Sequence, residues 1–277
     1  MSSLSIVARI AIALVAAFAL LTFGIASAQA VTYPNSMDAL GDSITRAFNT
    51  CTVSLLDCPE NSWSTGTNAA VDSIYQRILA TNLGISGHEF NDAVSGTKMT
   101  NLNSQAANAV SHHVELVTIL MGSNDACTSS ISTMTATATY ESQFKTAINT
   151  LTSLLPSGAQ IAVGSLPNAY RLWELFHTNL AATATWKAAS ICQSLLENPT
   201  STALADVERR AKFKTREEEY DKVLAGVCTH TTNCKWDNDA GFNSLFTTSD
   251  ITTRDYFHPT IAGQALIASV GWTAFGY

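Results

Sequence analysis

Residues 114–125 read VELVTILMGSND. From Val114 to Met121 the run is nearly continuous in large apolar and β-branched residues, broken only by Glu115 and Thr118. A strand with one wet face alternates. A run like this one fits a strand covered on both faces, as in a parallel sheet. Gly122-Ser-Asn-Asp125 then supplies turn residues. Outward from this stretch, Met37–Gly41, Phe90–Val94 and Ile161–Gly164 read as further short strands. Helical spacing appears between them. Val71, Ile74, Ile78 and Leu79 recur within Ala69–Leu83, and Phe144, Ala147, Ile148, Leu151 and Leu155 within Tyr140–Leu155. Tyr220, Val223, Leu224 and Val227 give another stripe, and Thr260–Ala274 reads as a last helix. Strands alternating with helices predict a mostly parallel α/β sheet, with ligands beyond the carboxyl ends of the strands.

The first thirty residues are of a different kind. Arg9 is their only charge, Ile10–Phe23 is almost wholly apolar, and the stretch ends in Ala28-Gln29-Ala30. This is the pattern of a secretory signal peptide, with cleavage expected after Ala30 or Ala28. A membrane anchor fits less well, because Thr22, Gly24, Ser27 and Gln29 interrupt the apolar run. The expected mature chain, 31–277, is long enough for one large domain. It keeps 14 Lys and Arg against 22 Asp and Glu, a formal charge of −8. Such a balance excludes nucleic acid and anionic membranes as natural partners, since both attract basic patches.

All six cysteines lie in the mature chain: Cys51, Cys58, Cys127, Cys192, Cys228 and Cys234. An even count behind an export signal argues for disulfides and a secreted protein. Chain proximity favours Cys51–Cys58 and Cys228–Cys234, leaving Cys127–Cys192, among fifteen pairings that sequence alone does not separate. No C-x-x-C pair with a second ligand pair suggests zinc.

Four polar segments fall where strands end. They are Gly41-Asp42-Ser43, Asn91–Gly96, Gly122–Asp125 and Asp255-Tyr-Phe-His258-Pro259. Together they hold what acyl transfer needs. Ser43 is a candidate nucleophile, His258 a base titrating near neutrality, and Asp255, three residues earlier, a carboxylate to hold the imidazole. Ser43 N–H at an expected helix start, Gly96 N–H and the Asn124 amide are candidate oxyanion donors.

In this order the blocks resemble those of the SGNH hydrolases, the GDSL family of esterases and lipases, with Ser43, Gly96, Asn124 and His258 as the four named residues. Ile44 stands where the motif has leucine. The segments Ser62-Trp-Ser-Thr-Gly66 and Gly122–Cys127 are similar to the phospholipase B-like branch. The resemblance implies a three-layer α/β/α sandwich with a flavodoxin-like sheet. It also implies ester hydrolysis through a Ser43–His258–Asp255 triad, on a small-molecule or lipid ester, with no cofactor or metal.

Each residue has a structural reading as well. A serine at such a junction usually caps a helix, and a histidine before proline can be purely structural. Asp42 and Asp125 read as loop braces. Trp63 reads as core before it reads as an acyl-pocket wall. The His112-His113 side chains diverge and do not suggest a metal site. The long segment 168–235 is either a packed helical layer or a cover over the site. Two other functions compete. An acyltransferase would use the same triad, whereas a non-catalytic lipid- or carbohydrate-binding protein would not need it complete.

Overall fold

A computed structural model describes residues 33–277; the expected signal peptide, 1–30, lies outside the described residues. Five strands form one sheet: β1 (Met37–Gly41), β2 (Glu89–Asn91), β3 (Leu116–Leu120), β4 (Gln160–Val163) and β5 (Cys234–Trp236), in the order β2-β1-β3-β4-β5. All four pairings are parallel, with Ala39 opposite Thr118 and Thr118 opposite Ala162 across the centre. Every residue of β1 and β3 is buried, the polar Asp38 and Thr118 among them, as in strands covered on both faces.

Helices cover both faces. On one face lie α1 (Ile74–Leu79) and the last helix, α9 (Ile261–Phe275). Leu116 and Leu120 meet Ile74, Ile78, Ala268 and Phe275 there. On the other face lie α2 (Leu102–Ser111), α4 (Thr137–Leu154) and α8 (Leu204–Thr229). Val117 and Ile119 meet Ala106, Phe144, Ile148 and Leu224 there. The result is the expected three-layer α/β/α arrangement. The sheet order is that of flavodoxin-like folds. Shorter helices fill connections: α3 (Ser123–Ala126), then α5 (Tyr170–Phe176), α6 (Leu180–Ala188) and α7 (Gln193–Leu196).

Local chemistry sets the ends. Ser73 accepts from Gln76 N–H while Gln76 Oε1 accepts from Ser73 N–H, a capping box that starts α1. Thr260 caps α9, and Gly276 ends it in the left-handed region, at φ +72°. Within 69–83 only Ile74–Leu79 is α-helical. The sequence reading missed β5 and the first four turns of α8. β5 is three residues long and not rich in β-branched residues. The charged DVERRAKFKTREEEYDK stretch of α8 hides its buried face. The three disulfides pair as chain proximity favoured: Cys51–Cys58, Cys127–Cys192 and Cys228–Cys234. Among the described residues no cysteine is free, and no helix is long and apolar enough to cross a membrane.

Candidate active site

The segment after β1 is a tight turn, not the helix expected after Ser43. Asp42 Oδ1 accepts from Ile44 N–H at 3.0 Å, and Phe48 N–H donates to Ser43 O at 2.9 Å. Such side-chain closure favours a turn over continued helix. Gly41 is needed at its root. A Cβ there would stand 2.4 Å from Leu120 O and 2.5 Å from Thr45 Oγ1. Two buried glutamines grip the turn. Gln105 of α2 accepts from Gly41 N–H at 2.8 Å and donates to Gly41 O at 2.9 Å. Gln264 of α9 donates to Ile44 O at 2.8 Å and accepts from Trp63 N–H at 2.9 Å.

Asp255 and His258 lie in the turn before α9. An antiparallel bridge between Ile251 and Pro259 closes it, with Thr252 N–H donating to His258 O at 2.9 Å. His258 Nε2 is 2.9 Å from Ser43 Oγ, and its Nδ1 is 2.8 Å from Asp255 Oδ2. Asp255 Oδ1 accepts from the N–H groups of Phe257 and His258 at 2.9 and 3.0 Å. Burial pushes the Asp255 carboxyl up. The imidazole's hydrogen bond and charge, with these N–H donors, outweigh burial and hold it below the ordinary carboxylate value. Phe48 and Phe257 flank the imidazole, with ring centroids 4.9 and 5.1 Å away.

The candidate oxyanion donors sit on neighbouring loops. Gly96 holds φ +79°, which a side chain would strain. Its loop packs on the end of β1, with Val94 N–H donating to Gly41 O at 3.2 Å. The N–H groups of Ser43 and Gly96 find no acceptor among the described residues. Asn124, in α3, donates through Nδ2 to Thr97 O at 3.0 Å and stands 3.4 Å from Asp42 Oδ2. Asp42 is fully buried, and burial pushes its carboxyl up to about 6 despite the Ile44 N–H. Asp125 joins loops, accepting from Met99 N–H at 2.8 Å and Thr135 Oγ1 at 2.6 Å.

The structure therefore joins Ser43, His258 and Asp255 directly and brings the loops of Asn124 and Gly96 beside them. It also shows residues the sequence reading missed. Asn49 donates to Asp255 Oδ2 at 2.5 Å. Asp57 accepts from Ser95 Oγ at 2.5 Å and pairs with Arg46 at 3.3 Å, fixing the loop that carries Gly96. Nothing in the spacing of Asn49, Gln105 or Gln264 marks them, because each acts on a partner distant in sequence. Trp63 is core, 1% exposed, its indole donating to Thr45 Oγ1 at 3.2 Å.

Of the segment 168–235, α8 packs against α4 as a layer, whereas α5 lends Leu172 to an apolar cavity. Ile44, Phe246, Ile251, Phe257 and Pro259 also line this cavity, so it adjoins Ser43 and His258 through their chain neighbours. His112 has partners that the sequence did not suggest. Its Nδ1 is 3.0 Å from Asp38 and 3.5 Å from Asp92, an arrangement of two carboxylates and one imidazole within reach of a cation. Burial, then the Asp92 charge, pushes the Asp38 carboxyl up to about 8.

A sequence profile of the GDSL-like lipase/acylhydrolase family matches residues 39–270. No curated protein sequence matches the chain. Among solved structures, an acetyl xylan esterase from Geobacillus stearothermophilus is similar at 14% identity, with TM-score 0.53, over 87% of this chain and 94% of that one. An alpha/beta hydrolase enzyme from the metagenome of Lake Arreo, Spain, is similar at 14% identity, with TM-score 0.54, over the same shares. These likenesses concern the fold. With the profile spanning nearly all the described residues, the chain belongs to the GDSL-like lipase/acylhydrolase family, the SGNH hydrolases, whose members cleave esters.

Proposed function

We propose that this protein is a secreted serine esterase or lipase that cleaves carboxylic esters through an acyl-enzyme. The observation that carries the reading is the hydrogen-bond line Ser43 Oγ, His258 Nε2, His258 Nδ1, Asp255 Oδ2, at 2.9 and 2.8 Å. Ser43 Oγ attacks the carbonyl carbon as His258 Nε2 takes its proton. Asp255 stays ionised and stabilises the imidazolium. The N–H groups of Ser43 and Gly96 and the Asn124 amide receive the oxyanion. The tetrahedral species expels the alcohol, which takes the proton from His258. Water repeats the sequence and frees the acid.

The apolar cavity at Leu172 and Phe246 receives the acyl group. Its lining, apolar but for Ser123, Asn168 and Arg171, supports an apolar acyl group on the substrate, and lipid esters are the class suggested by the phospholipase B-like segments. Three disulfides support an oxidising, extracellular setting.

The test is Ser43→Ala. Turnover of p-nitrophenyl esters should fall by about a million-fold, with an unchanged circular dichroism spectrum. A phosphonofluoridate should label Ser43 and no other serine. A folded, active Ser43→Ala variant would overturn the assignment.

A further inference from the structure

Between two paired cysteines the chain reads Cys51-Thr-Val-Ser-Leu-Leu-Asp-Cys58. Val53, Leu55 and Leu56 are 63%, 71% and 49% exposed. Large apolar side chains standing singly on a surface are ordinary, but three on one disulfide-closed loop are not. A fourth, Val94, is 51% exposed and precedes Ser95, whose hydroxyl donates to Asp57 in the same loop.

The loop is braced from behind. Leu55 N–H donates to Asn49 Oδ1 at 2.6 Å. Arg254 donates to the carbonyls of Asn49, Thr52 and Val53 at 2.9, 3.1 and 3.4 Å. Leu55 is held at φ +63°, a conformation that leucine resists. Strain is thus sustained to keep an apolar side chain in water. The anchors are also informative. Arg46 and Asn49 belong to the turn of Ser43, Ser95 to the loop of Gly96, and Arg254 and Asp255 to the turn of His258. The loop therefore stands at the rim of the site.

Its chemistry selects an occupant. Protein hot spots favour Tyr, Trp and Arg, and the loop has none of them. Aliphatic side chains suit the boundary of headgroup and acyl chain. Anionic lipid attracts Lys and Arg clusters. The loop carries neither residue, and the whole chain has a formal charge of −7. We propose that the Cys51–Cys58 loop docks the protein on an uncharged lipid surface, from which the ester substrate enters. This deepens, and rests on, the hydrolase reading above.

The test is sedimentation with phosphatidylcholine vesicles, comparing the wild type with a Val53→Ser, Leu55→Ser, Leu56→Ser triple variant. The wild type should sediment with the vesicles, and the variant's partition coefficient should fall at least about tenfold. Its turnover of soluble p-nitrophenyl acetate should not change. Leu55→Met with Leu56→Met, which keeps the apolar area, should keep binding. Leu55→Ser alone should lose part of it, whatever the fate of the triple variant. Docking is overturned if the wild type stays in solution or if the serine variants sediment like it. It is also overturned if the three residues instead hold a dimer together, or hold the protein on insoluble acetylated xylan. Hydrolysis of soluble ester without vesicle binding defeats docking alone. Loop-dependent vesicle binding without any ester hydrolysis defeats the hydrolase reading alone.

Discussion

Asn124 and Asn49 each bring an amide to the site, at opposite ends of the proton path. Asn124 is placed by Thr97 O and stands 3.4 Å from Asp42 Oδ2, on the residue before Ser43. Asn49 donates to Asp255 Oδ2, the same oxygen that faces His258 Nδ1. Asn124→Ala should lower kcat by roughly a hundred- to a thousand-fold, leaving KM and the pH profile in place, as loss of one oxyanion donor does. Asn49→Ala should act differently. Without this donor the carboxylate binds the imidazolium proton more strongly, so the acid limb of kcat/KM should move to higher pH. Rate profiles of both variants between about pH 5 and 9 separate the roles. An unmoved limb in Asn49→Ala would make that residue merely structural. Of the two, only Asn124 was legible in the sequence, because it stands in a short block directly after a strand. Asn49 is a common residue in an ordinary loop, and only the fold brings it to Asp255, 206 positions away.

At the scale of elements, the turn after β1 has no helix of its own to stiffen it. Its order comes from Gln105 and Gln264. Gln264→Ala would leave Trp63 N–H buried and unpaired, at about 1–3 kcal/mol, and leave Ile44 O with Ala47 N–H as its remaining donor. The expected outcome is a lower urea midpoint together with a fall in kcat larger than any change in KM. A variant with wild-type stability would remove the glutamine from this role. The strands β3 and β4 were legible because parallel strands buried on two faces leave nearly continuous apolar runs, which the half-buried β2 and the three-residue β5 lack. The helix α4 was legible because Tyr140, Phe144, Ala147, Ile148 and Leu151 make one buried stripe. The helix α8 was only half legible, since Arg210, Glu217 and Asp221 are buried where a stripe would be apolar. Glu217 Oε1 accepts from Ala169 N–H and Asp221 Oδ1 from Leu166 N–H, so α8 closes the loop after β4 through polar groups. The turn at Ser43 was read as a helix start, and the Asp42 hydrogen bond to Ile44 N–H overrode that expectation.

Across the whole molecule, buried carboxyls set the response to pH. Burial raises Asp38 to about 8, with Asp92 adding to it beside His112, and raises Asp42 to about 6. It also raises Asp125, Asp237, Glu217 and Asp221. Between its ordinary value and its raised one, such a group holds more protons folded than unfolded, so stability falls as pH rises through that window. Asp255 is lowered instead, and its contribution disappears only as pH falls through its folded value. The melting temperature should therefore be higher near pH 5 than near pH 8. Asp38→Asn should flatten the part of the fall above about 6, where Asp42 has already titrated. A melting temperature that climbs steadily from pH 5 to 8 would contradict this. The two glutamine grips have a different kind of consequence. One comes from the helical layer on each side of the sheet, so the serine hydroxyl stands where two independent halves of the architecture agree. A slip of either layer by a fraction of an ångström leaves the core filled and the protein folded, yet moves the hydroxyl off its line with the imidazole. Turnover is thus a finer gauge of how the layers are seated than any melting curve, and mild damage far from the cleft registers first as lost rate.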